Sequence, residues 1–157
     1  MKEKLEYMLE KSCLKIYKTD RYLINNRVSE RAIVFRFGLY LQRLLSRDKE
    51  LKFYNLDNEY NRNGQDPKRT SEFENGTYPD LIIHQRGNNN NNICIIECKT
   101  EWNSDTKKDI KKIKDFINPK GQYKYKYGVS IIFERNMIKI KMLENGKNEL
   151  IKNLYIN

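Results

Sequence analysis

Two isoleucine-rich segments decide the fold, Leu81-Ile82-Ile83-His84-Gln85-Arg86 and Ile93-Cys94-Ile95-Ile96-Glu97-Cys98-Lys99-Thr100. Between them stand Gly87 and the five consecutive asparagines 88–92. Short isoleucine-rich runs on either side of turn-forming residues are typical of two strands joined as a β-hairpin. Asp80 comes directly before the first strand, after Pro79. We therefore predict a hairpin with an acid at the start of one strand and a Glu-Cys-Lys tripeptide near the end of the other.

The register of this hairpin determines which side chains share a face. With the tip between Asn89 and Asn90, Asp80 lies opposite Lys99, and Glu97 joins them on the same face. The other face carries side chains suited to packing against a helix, namely Leu81, Ile83, Cys94, Ile96 and Cys98. A slip of one residue would exchange the two faces. One register therefore builds both a charged site and an apolar face.

Asp80, Glu97 and Lys99 are the residue types that a metal-dependent phosphodiesterase needs. Carboxylates hold a hard divalent cation, and a lysine beside them can orient or deprotonate the attacking water. The alternative is that Asp80 merely begins a strand, while Glu97 and Lys99 form an exposed alternating pair. Glu97 follows four apolar residues, and a charge beside a core is costly unless it binds something. This position favours a site.

Composition limits the size of the protein and its partners. The chain of 157 residues is long enough for one ordinary domain, which we expect to span 1–157. The net charge of +10 favours a polyanionic partner such as nucleic acid, with an anionic membrane surface as the competing explanation. No apolar run approaches the roughly 20 residues of a spanning helix, and the N-terminal segment differs from a signal peptide. Three cysteines fit a reducing compartment. We therefore expect a soluble cytoplasmic protein without a membrane partner.

Apolar periodicity and turn residues predict the other elements. Helices are predicted over 2–18, from Ser29 to Ser46 and over 105–116, and strands over 51–61, 127–133 and 137–143, with a loop over 62–78 and a turn at Asn145-Gly146. In the strand over 51–61, Asp57 and Glu59 alternate with Leu56 and Tyr60, which predicts one acidic and one apolar face. The fold class is α/β, with a central mixed sheet of four or five strands flanked by helices.

Three features of the chain occur in a familiar order: a helix that bears a glutamate, then Pro79-Asp80, then Glu97-Cys98-Lys99 after a hydrophobic strand. In these features the chain resembles the PD-(D/E)XK nuclease superfamily, which includes type II restriction enzymes and many repair and defence nucleases. Segments 29–34, 59–62 and 79–87 are similar to small bacterial members of that superfamily. The resemblance implies a restriction-endonuclease-like core over about 28–133, on which the helix over 2–18 would pack.

The resemblance also implies a site for Mg²⁺, in which Mn²⁺ can substitute. Asp80 and Glu97 would bind the ion together with the backbone carbonyl of Cys98. Lys99 would position or activate the water for in-line attack on phosphate. Glu30 matches the helical glutamate that often completes such a site, although the helix dipole alone also favours an acid in the first turn of a helix.

Two further features have no fixed place in the superfamily pattern. The acids Asp57 and Glu59 form a second pair, which either supplies additional metal ligands or faces solvent. His84 shares the strand face with Asp80. We interpret His84 as a structural histidine or a phosphate contact and not as a general base.

Basic side chains could follow a phosphate backbone, or they could simply form solvated surfaces. Under the first interpretation, the nucleic-acid contacts are Arg31, Arg62, Lys107, Lys108, Lys111, Lys112 and Lys124.

Three functions follow from these observations. The first is a Mg²⁺-dependent endonuclease acting on DNA. The second is a nuclease-like domain that binds nucleic acid or a partner protein without cutting, which is weakened because Asp80, Glu97 and Lys99 are all present. The third is a basic interaction protein for a membrane or a ribonucleoprotein. Cleavage of both strands of a duplex would favour a homodimer by symmetry.

Overall fold

The structure is a computed structural model that describes residues 1–70, 72–144 and 147–156, without the side chains of 147–149. Within these ranges the helices are α1 (Lys2–Thr19), α2 (Arg21–Asn25), α3 (Glu30–Leu45) and α4 (Lys107–Ile117), with a 3₁₀ turn at Leu51–Phe53. The strands are β1 (Asn55–Asn58), β2 (Arg62–Asn63), β3 (Asp66–Pro67), β4 (Leu81–His84), β5 (Cys94–Thr100), β6 (Tyr127–Phe133), β7 (Met137–Glu144) and β8 (Lys147–Tyr155).

Six of these strands form one mixed sheet in the order β1-β4-β5-β6-β7-β8. Neighbouring strands are antiparallel except β5 and β6, which are parallel and are joined through α4. The α/β class and the mixed sheet flanked by helices are confirmed. The predicted number of four or five strands is wrong, because the described residues give the sheet six. The sequence of β8 is too polar to predict a strand, as an edge strand can be.

Helices cover both faces of the sheet. On one face, apolar residues of α1 and α3 pack with alternate residues of β4 to β7 in the larger core cluster. On the other face, α4 packs over Ile82 and Ile95 with Tyr123 and Tyr125. The first helix and the helix that begins after Ser29 are confirmed, and α4 begins two residues later than predicted.

The predicted strand over 51–61 is wrong over most of its length. Leu51 is buried in the 3₁₀ turn, and β1 covers only Asn55–Asn58. Glu59 has a positive φ of 49°, which ends the strand. Leu56 therefore packs with the larger core cluster, while Tyr60 packs on the α4 face. A single apolar face does not form.

The predicted hairpin is confirmed, but its register is wrong by two residues. Leu81 pairs with Ile96 and Ile83 pairs with Cys94, so the continued register places Asp80 opposite Glu97 and not opposite Lys99. This register centres the connecting loop between Asn88 and Asn89 and not between Asn89 and Asn90. Within the loop, Asn91 Nδ2 donates a 2.6 Å hydrogen bond to Gln85 Oε1. Because the pleat repeats every two residues, each side chain keeps its predicted face.

The apolar face of the hairpin is confirmed as part of the larger core cluster, through Leu81, Ile83, Cys94, Ile96 and Cys98. The turn predicted at Asn145-Gly146 lies outside the described residues. Over residues 1–70, 72–144 and 147–156, no helix combines the length and apolar character that crossing a lipid bilayer requires.

Candidate active site

Asp80 and Glu97 meet where β4 begins beside β5. Asp80 Oδ2 accepts a 2.7 Å hydrogen bond from the backbone N–H of Cys98, which fixes the carboxyl against the neighbouring strand. Burial raises the pKa of Asp80, and the Cys98 N–H and the Lys112 ammonium offset only part of that rise. The two acids predicted from sequence are therefore brought together, with Asp80 held by the backbone of the Glu-Cys-Lys tripeptide.

Glu97 is the most deeply buried acid of the site, with 2% of its surface exposed. Its Oε2 accepts a 2.8 Å hydrogen bond from Lys112 Nζ, while Oε1 has no hydrogen-bond partner among the described residues. Burial raises the pKa of Glu97 to about 8; Lys112 opposes this rise, and the nearby Asp80 and Asp109 add to it. One oxygen of this carboxyl is thus bonded, and the other is buried without a donor.

Lys99 lies between two carboxylates. Its Nζ is 3.2 Å from Glu30 Oε1 and 3.5 Å from Asp109 Oδ2. Burial alone would lower the pKa of Lys99, but Asp109, Glu30 and Asp80 outweigh it, and the pKa is raised. The lysine predicted beside the acids therefore carries a firmly held positive charge.

Glu30 and Glu59 reach the site from outside the hairpin. Glu30 stands in the first turn of α3, and its Oε1 contacts Lys99. A cleft of about 100 Å³ is lined by Glu30, Glu59 and Asp80, together with Arg31, Val34 and Asn58. Glu59 Oε1 lies 3.5 Å from Arg31 Nε, in a mostly exposed pair. Three predicted acids thus border one small cleft beside Lys99.

Asp57 is engaged elsewhere. Its carboxylate accepts 2.8 Å hydrogen bonds from His84 Nε2 and Arg86 Nε, with a second contact to the Arg86 guanidinium. Burial alone would raise the pKa of Asp57, but Arg86 and His84 lower it. Burial also lowers the pKa of His84, although the hydrogen bond to Asp57 acts to raise it. These residues form an ion-pair group toward the far end of β4 from Asp80.

The predicted nucleic-acid contacts fall into different surroundings. Lys107, Lys108 and Lys124 are exposed. Lys111 forms an exposed ion pair with Glu72, and Arg62 donates to the Gln65 carbonyl. Lys112 instead points into the candidate site, where Glu97 holds it.

Asp109 and Lys112 also belong to this site, although the sequence did not lead us to predict them there. Asp109 is 8% exposed and is one turn before Lys112 on α4. A signal was present, because Asp109, Ile113 and Phe116 follow helical spacing and the last two are core residues. An acid on the apolar stripe of a helix indicates a buried partner, here Lys99.

The donor atoms suit a hard divalent cation. Asp80 and Glu97 offer carboxylate oxygens, the Cys98 carbonyl lies between Glu97 and Lys99 in the chain, and Glu97 Oε1 lacks a partner among the described residues. Within those residues, however, no group of three or more His, Cys, Asp or Glu side chains is close enough to hold a metal ion. The acids therefore lie near one another, but among the described residues no three of them converge on a single point.

Comparison of the chain with protein-family models, with curated proteins and with solved structures found no significant match.

Proposed function

We propose that this protein is a Mg²⁺-dependent nuclease with a restriction-endonuclease-like core over about 28–133, and that it hydrolyses phosphodiester bonds within DNA. One observation carries the proposal: beside Asp80, the buried Glu97 carboxyl has an Oε1 without a partner among the described residues. Leaving a buried acceptor unmet costs about 1–3 kcal/mol. A cation that binds both acids would meet this acceptor.

Each residue of the site has a proposed task. Asp80 and Glu97, with the Cys98 carbonyl, would hold the ion, and Glu30 would complete its shell directly or through water. Bound there, Mg²⁺ would polarise the phosphoryl oxygen and offset the charge that builds in the transition state. Lys99 orients the attacking water and stabilises negative charge through its ammonium, which Glu30 and Asp109 keep in place.

The substrate is proposed from charge. The chain carries a net charge of +10, and the exposed Lys107, Lys108 and Lys124 are available to phosphates. Contacts with phosphate would make binding weaken as salt increases.

The proposed compartment is the cytoplasm. The three cysteines are thiols, which fits a reducing cytoplasm.

A second candidate function is favoured by one specific contact. Lys112 already donates a hydrogen bond to Glu97, and no three-acid cluster forms among the described residues. A domain that binds nucleic acid or a partner protein without cutting would use Lys112 as a permanent substitute for the cation. Under the first proposal, Lys112 must move or share Glu97 when metal binds.

Cleavage of supercoiled plasmid DNA tests the proposal. The wild type, Lys99→Ala and Lys2→Ala are each incubated with Mg²⁺ or Mn²⁺, and DNA binding is measured separately in EDTA. Lys2→Ala is the matched control, because it removes one lysine charge at the start of α1, where Lys2 pairs with the partly exposed Glu144. We expect cutting by the wild type and by Lys2→Ala, and a loss of about 10²-fold or more in Lys99→Ala.

The outcomes separate the candidates. If all three proteins bind DNA equally and none cuts it or a matched RNA, the binding domain stands and the nuclease proposal fails. If the wild type does not bind either nucleic acid even at low salt, both fail.

A further inference from the structure

Lys68 is a buried lysine outside the acidic site. Its surface is 1% exposed. Its backbone is fixed on both sides, since its N–H donates to the Asn61 carbonyl and its carbonyl accepts a 2.9 Å hydrogen bond from the Thr77 N–H. Lysines are almost never fully buried unless their charge is paired. Among the described residues, neither a carboxylate nor a hydrogen-bond acceptor contacts the Lys68 ammonium.

Three tyrosine rings surround this ammonium. Lys68 Nζ lies 4.7 Å from the ring centroid of Tyr123, 5.8 Å from that of Tyr60 and 6.0 Å from that of Tyr125. Ring faces attract a cation, but an ammonium also has three N–H donors that rings satisfy poorly. Burial lowers the pKa of Lys68 to about 8. The rings of Tyr60, Tyr123 and Tyr125 form a cage around the Lys68 ammonium. Its N–H groups have no acceptor among the described residues.

A cavity of about 280 Å³ opens beside this cage. Besides Tyr60, its polar lining consists of Arg62, Lys68, His84 and the asparagines Asn63, Asn88 and Asn89. No carboxylate among the described residues lines it. Asp57, which contacts the lining residue His84, is bonded to His84 and Arg86 and not to Lys68. The cavity therefore combines two cationic side chains with amide groups and no negative charge of its own.

We propose that this cavity is a binding site for a phosphate group, held by Lys68 and Arg62. Lysine and arginine ammonium and guanidinium groups form strong, charge-assisted hydrogen bonds to phosphate. The amides of Asn63 and Asn89 already donate one hydrogen bond each, to Gln122 and to Asn63, and each has a second N–H that a tetrahedral acceptor group could use. The proposal does not depend on hydrolysis at the acids.

The phosphate could be a free ion or part of a nucleic acid. His84 lies four residues after Asp80 along one strand, which is about 13 Å at the usual rise of a β-strand. A nucleic-acid strand that passed the acids could therefore also reach the cavity.

Titration with inorganic phosphate, followed by calorimetry and by the thermal midpoint, tests the site against sodium chloride of equal ionic strength. The variants are Lys68→Met, which keeps the buried chain and removes the charge, and Arg62→Gln on the exposed rim. We expect phosphate to bind the wild type and to raise its thermal midpoint, with about tenfold or more weaker binding in each variant. Equal binding by all three proteins, or no binding to the wild type, overturns the proposal. Arg62→Gln alone decides the matter if Lys68→Met does not fold.

Oligonucleotides of one sequence, with a 5′-phosphate or a 5′-hydroxyl, identify the source of the phosphate in EDTA, where hydrolysis cannot contribute. Lys68-dependent preference for the 5′-phosphate identifies a strand end as the ligand. Equal, Lys68-dependent binding of both identifies an internal phosphodiester. Lys68-dependent binding of inorganic phosphate alone identifies a free anion. These results stand even if the plasmid experiment shows no cleavage.

Discussion

Lys112 Nζ lies 2.8 Å from Glu97 Oε2, and the two side chains are only 12% and 2% exposed. The preceding residue on α4, Lys111, makes a 3.1 Å ion pair with Glu72, but these side chains are 62% and 50% exposed. Two adjacent lysines thus make the same contact in opposite surroundings. Because buried and exposed ion pairs differ greatly in energy, this contrast supplies a matched experiment.

Lys112→Met should destabilise the protein in a pH-dependent way. The folded-state pKa of Glu97, about 8, lies above its unfolded value, so Glu97 reduces stability as pH rises toward 8. Without Lys112 the pKa rises further, and the reduction continues above pH 8. We expect a loss of about 1 kcal/mol at pH 6 that grows to about 3 kcal/mol at pH 9, measured by urea unfolding. Lys111→Met should stay within about 0.5 kcal/mol of the wild type at both pH values, and equal losses in the two variants would contradict this prediction.

Divalent cations should stabilise the wild type through Glu97. At about 100 times its dissociation constant, Mg²⁺ or Mn²⁺ should add about 2.7 kcal/mol to the free energy of unfolding, and EDTA should remove it. The effect should disappear in Glu97→Gln and persist in Glu72→Gln, which alters an exposed acid. Since the pKa of Glu97 is about 8, metal binding should release a proton at neutral pH, which calorimetry in two buffers detects. Persistence of the stabilisation in Glu97→Gln counts against the metal site.

Asp57→Asn should mainly lower stability, whereas Asp80→Asn should mainly lower the rate of cleavage. Asp57→Asn weakens the contacts to Arg86 and His84 and should cost about 1–3 kcal/mol at neutral pH, while cleavage per folded molecule remains. Because the pKa of Asp57 is lowered by folding, its contribution is lost as pH falls through that pKa. Asp80→Asn should lower cleavage by about 10²-fold or more. Unfolding curves and cleavage rates measure both; a loss of cleavage in Asp57→Asn would assign this acid to the site.

Lys68→Met should not destabilise the protein at pH 7. The pKa of Lys68 is about 8 in the folded state against 10.5 for the free side chain, so its burial costs up to about 3 kcal/mol below pH 8. The three tyrosine contacts offset part of this cost. As pH rises from about 8 to 10.5, the unfolded state loses its proton too, and the cost fades. We expect Lys68→Met to match or exceed the wild type at pH 7 by up to that amount, with the advantage shrinking by pH 10. A large loss at pH 7 would show that the ring contacts dominate.

Gly128→Ala should disturb the site although Gly128 does not contact it. A Cβ at this position would lie 2.2 Å from Ile113 Cγ2 and 3.1 Å from Ile117 Cγ2, so α4 would have to move from the sheet. We expect a loss of about 1–3 kcal/mol and weaker cation binding, because α4 carries Lys112. Gly38→Ala is the control: its Cβ meets Leu81 at 3.4 Å, and alanine in a helix gains up to about 1 kcal/mol. Unfolding and cation titrations on both variants check the contrast.

The sequence was sufficient to predict the hairpin and the face that holds its charges, because alternation along a strand is a local property. The two-residue error in register did not exchange the faces for the same reason. The contact of Lys112 with Glu97 could not be predicted, because helical spacing places Lys112 beside the buried stripe of α4 but does not show which acid of the sheet it meets. Which side of α4 faces Glu97 depends on how Ile113 packs over Gly128. This is a tertiary contact between residues that are distant in the sequence. β8 was missed because edge strands need little apolar character.

The helix α4 connects two parallel neighbouring strands, and it also carries Asp109 and Lys112. The β5–β6 hydrogen bonds do not run through α4, so undocking of the helix would leave the pairing of the two strands intact. Such a local opening would expose Glu97 to water and release Lys99 from Asp109 without unfolding the sheet. Amide protons of α4 should then exchange with solvent earlier than those of β5 and β6. In that case, the charged groups around Glu97 and Lys99 would depend on whether α4 is docked, while the pairing of the strands beneath it would not change.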